Sequence, residues 1–142
     1  MNFSGIYKEQ QFWQTGEIQR NIFWVEVQEL PGSNCYCDGD AMETLRQKLE
    51  EFDADGIHFI DSGNYHYMSR IWLEKLNTPF RLVVFDNHTD MQPPALLPVL
   101  SCGSWIRYAA GAYQSIKGIC VIGPPEASVR ETEAMEHVWF VT

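Results

Sequence analysis

Leu82-Val83-Val84-Phe85-Asp86-Asn87-His88-Thr89-Asp90 is the stretch whose reading decides the fold. Its first four residues form the short apolar run expected of a strand buried in a parallel sheet. At the carboxyl end of that run stand three metal-competent side chains at alternate positions, Asp86, His88 and Asp90. In an extended chain alternate residues point to one side. A rise of roughly 3.3 Å per residue then leaves the outer two too far apart to grip one ion, and well placed to bracket two. Carboxylates mixed with imidazole favour a hard or borderline divalent ion such as Mn²⁺ over a thiolate-type zinc site. A solvated loop with a capping aspartate has the same look, and a short motif alone does not separate the two.

Outward from this stretch, strand and helix signals alternate. Ile22 to Val27 reads as a strand, Pro31-Gly32-Ser33-Asn34 as a loop, and Ala41 to Phe52 as a helix, with Met42, Leu45, Leu49 and Phe52 on one face and Asp40 as its N-cap. Gly56 to Asp61 reads as a second strand and Tyr65 to Leu76 as a helix stopped by Asn77-Thr78-Pro79. After Arg81 to Phe85 come a Pro-rich loop over Met91 to Pro98, a helix capped by Ser101 or Ser104 and running through Tyr113, and a strand from Ile119 to Ile122. A short helix near Ala127 to Glu136 and a strand at Val138 to Val141 close the order. Strands alternating with helices imply parallel βαβ units. The first twenty residues, with Phe3, Tyr7, Phe12 and Trp13, are expected to add a strand or cover a sheet edge.

Composition bounds the function classes. At 142 residues the chain is long enough for one domain with a real core, and no linker or internal repeat divides residues 1–142. Ten Lys+Arg against nineteen Asp+Glu give a formal charge of −9, which argues against nucleic acid or an anionic membrane as partner. No basic segment followed by an apolar stretch marks a signal peptide, and no run approaches the roughly 18 apolar residues of a membrane span. Cys35 and Cys37 are too close for an easy disulfide, and Cys120 lies in an apolar run. Reduced thiols and a cytoplasmic location are therefore expected.

Ligands of an open parallel sheet gather beyond the carboxyl ends of its strands. Two such ends are polar, Asp61-Ser62-Gly63-Asn64-Tyr65-His66 and Asp86 to Asp90; if they are neighbours, His66 faces Asp86 and Asp90. A lone histidine near a helix start is more often a surface or capping residue, and its strand-end position is what raises His66 above that. Asp61 reads as a structural loop residue ahead of an N-cap or a partner to a ligating histidine. Ser101 and Ser104 could line the mouth of the site or cap a helix. Cys102 has no base beside it to make a nucleophile. His58 reads as a core histidine and His137 as a surface one. The Cys35-x-Cys37 pair lacks a second pair for zinc and carries no assigned function.

Asp86-Asn87-His88-Thr89-Asp90 resembles the Asp-Ala-His-x-Asp signature of the ureohydrolase superfamily of arginases, agmatinases and formiminoglutamases. Gly63-Asn64-Tyr65-His66-Tyr67 looks like a variant of that family's Gly-Gly-Asp-His-Ser motif, with Tyr65 where an acid stands. Asp61 to Gln92 also resembles uncharacterised arginase-like proteins that share the phrase Asp-Ser-Gly-Asn-Tyr-His-Tyr. The resemblance implies a three-layer α-β-α sandwich with a mainly parallel sheet, arginase/deacetylase-like. It implies His66 and Asp90 on one Mn²⁺, His88 on a second, and Asp86 bridging them. The family's later Ser-x-Asp-x-Asp is not found before Thr142, so the chain is expected to be the N-terminal portion of that fold, truncated.

The resemblance implies a manganese hydrolase that cleaves a C–N bond of a small guanidino or amide substrate through metal-activated water, with Asp90 orienting the water or relaying a proton. A degenerate, non-catalytic binding or assembly module is the alternative, favoured by the missing carboxylate pair. A dinuclear metallophosphoesterase also uses Asp-x-His at a strand end but needs later histidines, and only His137 follows His88. A parallel sheet ending at Val138–Val141 would expose an apolar edge and face, so a homo-oligomer is expected.

Overall fold

Residues 1–10, 12–14, 22–93 and 99–142 are described by the computed structural model. Along them the chain forms β1 (Tyr36–Cys37), α1 (Gly39–Leu49), α2 (Met68–Leu73), β2 (Phe80–Phe85), β3 (Leu100–Ser101), α3 (Trp105–Ala112), β4 (Ile116–Ile122), α4 (Glu126–Arg130) and β5 (Val138–Val141). Single 3-10 turns occur at Ile6–Lys8, Phe12–Gln14 and Gly63–Tyr65. β2, β4 and β5 make a parallel sheet in that order, while β1 and β3 form a separate two-residue antiparallel pair. Parallel neighbours need crossovers, and α3 and α4 lie on the connections between them. The chain is thus an α/β protein. Among the described residues no helix is long and apolar enough to cross a membrane.

The core sits on one side of the sheet. Val84, Ile119 and Val121 turn inward and are buried with Trp105, Ile106 and Ala109 of α3 and Met68 and Ile71 of α2. Ala41, Met42, Leu45 and Leu49 of α1 join them at helical spacing. The other face is bare. Val83, Phe85, Trp139 and Val141 keep between 50% and 78% of their surface exposed. Gly118 lets the Trp139 ring lie against β4, since a Cβ there would come within 2.6 Å of the indole Cζ3. The described residues therefore give the sheet one covered face and one open face, where a three-layer sandwich would cover both.

Several elements differ from expectation. Ile22 to Val27 is not a sheet strand. Among the described residues it pairs through a parallel bridge at Glu26 to Asn2, whose N–H donates to the Val25 carbonyl at 2.9 Å. Gly56 to Asp61 alternates in exposure but joins no ladder among the described residues, and Ile57 is 84% exposed. Hydrophobic alternation reports which side chains face the core, whereas a ladder needs a neighbour with free backbone groups, and among the described residues β2 pairs with β4 alone. The first helix starts two residues earlier, because the Asp38 carboxylate, not that of Asp40, accepts the Ala41 N–H. The expected helix from Tyr65 to Leu76 narrows to α2 with turns at each end, and that near Ala127 to Glu136 shortens to α4.

The aromatic N-terminus, expected to add a strand or cover a sheet edge, packs against Phe59 and Tyr65. Phe3 and Tyr7 are buried, Phe3 stacks on Tyr65 at 3.9 Å, and Phe12 meets Phe59 at 4.9 Å. His58 is half-buried, stacked on Trp72 at 3.7 Å, and His137 is exposed. All four cysteines are free thiols. Of the Pro-rich loop, residues 94–98 lie outside the described residues, as do residues 15–21 of the N-terminal segment.

Candidate metal centre

The apolar run forms β2, and its ladder continues one residue further, the Asp86 N–H donating to the Ile122 carbonyl at 3.0 Å. Asp86 is therefore fixed by β4. Gly123, next in β4's path, has φ +110°, and a Cβ there would lie 3.0 Å from the Asp86 carbonyl oxygen. Only glycine suits both demands at once.

Beyond Asp86 the chain does not stay extended. It curls, and Asp90 adopts φ +49° in the left-handed region, which aspartate tolerates better than most residues. This overturns the spacing argument for a straight strand. Asp86 and Asp90, expected to stand too far apart for one ion, converge on a single atom. His66 Nδ1 lies 2.9 Å from Asp86 Oδ2 and 3.2 Å from Asp90 Oδ2. His66 arrives from the other polar loop, just after the 3-10 turn Gly63–Tyr65.

Asp90 is buried, and its two ends do separate work. The Trp105 indole donates to its Oδ2 at 2.6 Å. Its carbonyl accepts the N–H groups of Ile106 at 3.2 Å and Arg107 at 3.4 Å, tying off the first turn of α3. Ser104 stands at the N-cap position but gives α3 no side-chain bond; its hydroxyl is engaged with Ser101 instead. Neither serine was thus used as the capping argument expected. Trp105 is the site residue that sequence reasoning missed. Its signal was there, since a buried indole N–H seeks an acceptor.

The four expected ligands are not all brought together. Ligand atoms of His66, Asp86 and Asp90 lie within 4.8 Å of one another. His88 stands outside that group, its side chain 81% exposed and its Nδ1 3.2 Å from Asp86 Oδ1. Asp86 thus has one oxygen toward each histidine. Asp61 is elsewhere altogether, holding the N-terminal segment through the N–H groups of Phe3 and Ser4 and the Ser4 hydroxyl, each at 2.7 Å.

Burial alone would push the His66 imidazole down, but Asp90 and Asp86 outweigh it and hold the ring above its ordinary value. Two carboxylates gathered on one ring nitrogen favour positive charge there, which either a proton or a cation can provide. Burial pushes the Cys102 thiol up, opposite to what a nucleophile needs. An open cleft of about 560 Å³ reaches His66 and Asp86, lined also by Ser62, Gly63, Asn87, Phe85 and Ile122.

An α/β protein with an imidazole and two carboxylates at a strand's carboxyl end is the class that fold and site define. An uncharacterised protein of Thermotoga maritima is 28% identical to it over 145 residues, which cover 99% of this chain and 52% of that protein. The chain thus spans about half the length of the curated relative it matches. No family model and no solved structure matches the chain.

Proposed function

We propose that this chain is the metal-binding unit of an arginase-like hydrolase, cleaving a C–N bond at a guanidino or amide carbon of a small substrate, with Mn²⁺ as its cation. The observation that carries this reading is the convergence of His66, Asp86 and Asp90 within 4.8 Å at the carboxyl end of β2. The donor set fits a hard or borderline divalent ion, being one ring nitrogen and carboxylate oxygens. His66 Nδ1 and one oxygen each of Asp86 and Asp90 would hold it. When bound, such an ion supplies Lewis acidity and makes water a competent nucleophile near neutral pH.

The chain's own residues do the positioning. Trp105 fixes Asp90, whose role is to orient a water or relay a proton. Asp86 shares its second oxygen with His88, so a second cation at His88 would be coupled to the first through one carboxylate. Ser62 and Asn87 offer hydrogen bonds to a small polar substrate along the cleft. The arginase/deacetylase-like sandwich is the architecture in which such a sheet and site belong together, and free thiols at every cysteine fit a reducing compartment such as the cytoplasm.

A non-catalytic metal-binding or assembly module is the second reading. The exposure of His88 favours it, because three donors rather than four converge among the described residues. Metal analysis and Mn²⁺ calorimetry on protein purified without chelator, followed by ammonia- and urea-release assays on guanidino and amide compounds, decide between them. One or two Mn²⁺ per chain with turnover supports the hydrolase. Metal without turnover leaves the module, and no binding at millimolar Mn²⁺ sinks both metal-based readings.

A further inference from the structure

The open face of the sheet is the largest feature that the metal centre leaves unused. Val83 and Phe85 on β2 and Trp139 and Val141 on β5 share one side by strand alternation, and are 55%, 78%, 53% and 50% exposed. Together they present on the order of 400 Å² of apolar surface, judged from the area such side chains bury. A monomer's largest apolar patch is of about that size and often a functional surface. Parallel sheets are moreover covered on both faces, because their crossovers carry helices to each side. Among the described residues, α2 and α3 share the core with the inward residues Val84, Ile119 and Val121.

The comparison with Thermotoga maritima says what kind of cover fits. That protein matches this chain almost end to end, and roughly half of it lies outside the match. A single polypeptide similar to this chain thus has a further length comparable to it, enough to cover such a face. We propose that the open face of the β2–β4–β5 sheet seats a partner segment equivalent to the unmatched half of the Thermotoga protein, which lays an amphipathic helix across Val83, Phe85, Trp139 and Val141. A second copy of this chain is the poorer occupant. It would bring two bodies of formal charge −9 together and offer sheet against sheet where parallel strands take helices. Phe85 and Ile122 border both this face and the cleft, so the seated segment also becomes a wall of the cleft.

The inference is independent of the hydrolase reading, and its test reads mass rather than metal or turnover. The full chain is produced in the same cells as the unmatched portion of the Thermotoga protein, and the purified species is weighed by light scattering. The expected result is a one-to-one complex whose recovery falls at least tenfold with Phe85→Asp. Val83→Asp, at a second exposed position, should do the same, and unchanged circular dichroism of each variant alone separates lost docking from lost folding. A chain that remains monomeric beside the unmatched portion overturns the proposal. A homodimer dissolved by Phe85→Asp also overturns it, by making a second copy the occupant, and so does a complex indifferent to both substitutions.

Discussion

GIHFID, ending at Asp61, and RLVVFD, ending at Asp86, look alike as sequence, yet their last carboxylates live in opposite surroundings. Asp61 meets two backbone N–H groups and a hydroxyl, donors that are fixed and uncharged. It is a clamp on the N-terminal segment. Asp86 meets two imidazoles, partners that can give way to a cation. The backbones differ too, since Phe80–Phe85 pairs with β4 whereas residues 57–60 join no ladder among the described residues. An acid at a strand end is a ligand candidate only when its oxygens face groups able to leave.

Substitutions can break that contrast. The largest effect is expected for His66→Ala and Asp86→Asn, which should lower Mn²⁺ affinity by about a hundredfold or more, beyond the 10–100-fold typical of residues that only support a ligand. Calorimetry reads it, and an unchanged affinity would remove these residues from the centre. Asp61→Ala should do the reverse, costing about 2–3 kcal/mol in urea unfolding through its charge-assisted bonds while leaving Mn²⁺ affinity within about threefold. Were Asp61→Ala to abolish metal binding, the two carboxylates would no longer be distinguishable by role.

Trp105→Phe sharpens the comparison further. It keeps the ring but removes the donor on Asp90, so affinity should fall about tenfold with little change in fold.

The smallest effect concerns a carboxylate of a third kind. Glu74 accepts Arg46 Nε at 2.7 Å, Arg46 Nη2 at 2.8 Å and the Tyr113 hydroxyl at 2.8 Å. Burial would raise its carboxyl, but Arg46 and Tyr113 outweigh burial and hold it below the ordinary glutamate value. A depressed carboxylate contributes stability that is fully present above the unfolded-state value and is lost as pH falls through the lowered one. Glu74→Gln should therefore cost about 1 kcal/mol or less at neutral pH, since Arg46 is 42% exposed and screened. The gap between the two proteins should close on acidification, as read from urea midpoints across pH.

Much of the framework was legible because it rests on periodicity. The β2 run, the β4 and β5 strands and the apolar face of α1 each announce themselves through spacing that burial then uses. Pairing was less legible, and Ile22–Val27 and Gly56–Asp61 show why: apolar alternation does not supply a ladder neighbour. At the site, His66 was expected beside Asp86 and Asp90 if two neighbouring strands ended there. The three side chains meet although Gly56–Asp61 forms no strand among the described residues, and the convergence of the two aspartates was not readable. That convergence depends on one left-handed residue, Asp90, whose conformation local sequence permits without requiring. His88 follows from the same curl, which carries the middle residue of the motif outward.

Asp90 joins two things usually kept apart, because its carboxylate belongs to the centre while its carbonyl ends the orphan N–H groups of α3. Loading the site should therefore be audible in the helix. Anything that steadies the Asp90 side chain steadies its peptide group, so amide protons of Ile106 and Arg107 should exchange more slowly with deuterium when Mn²⁺ is added. Those two amides form a built-in gauge of occupancy, readable without knowing the substrate.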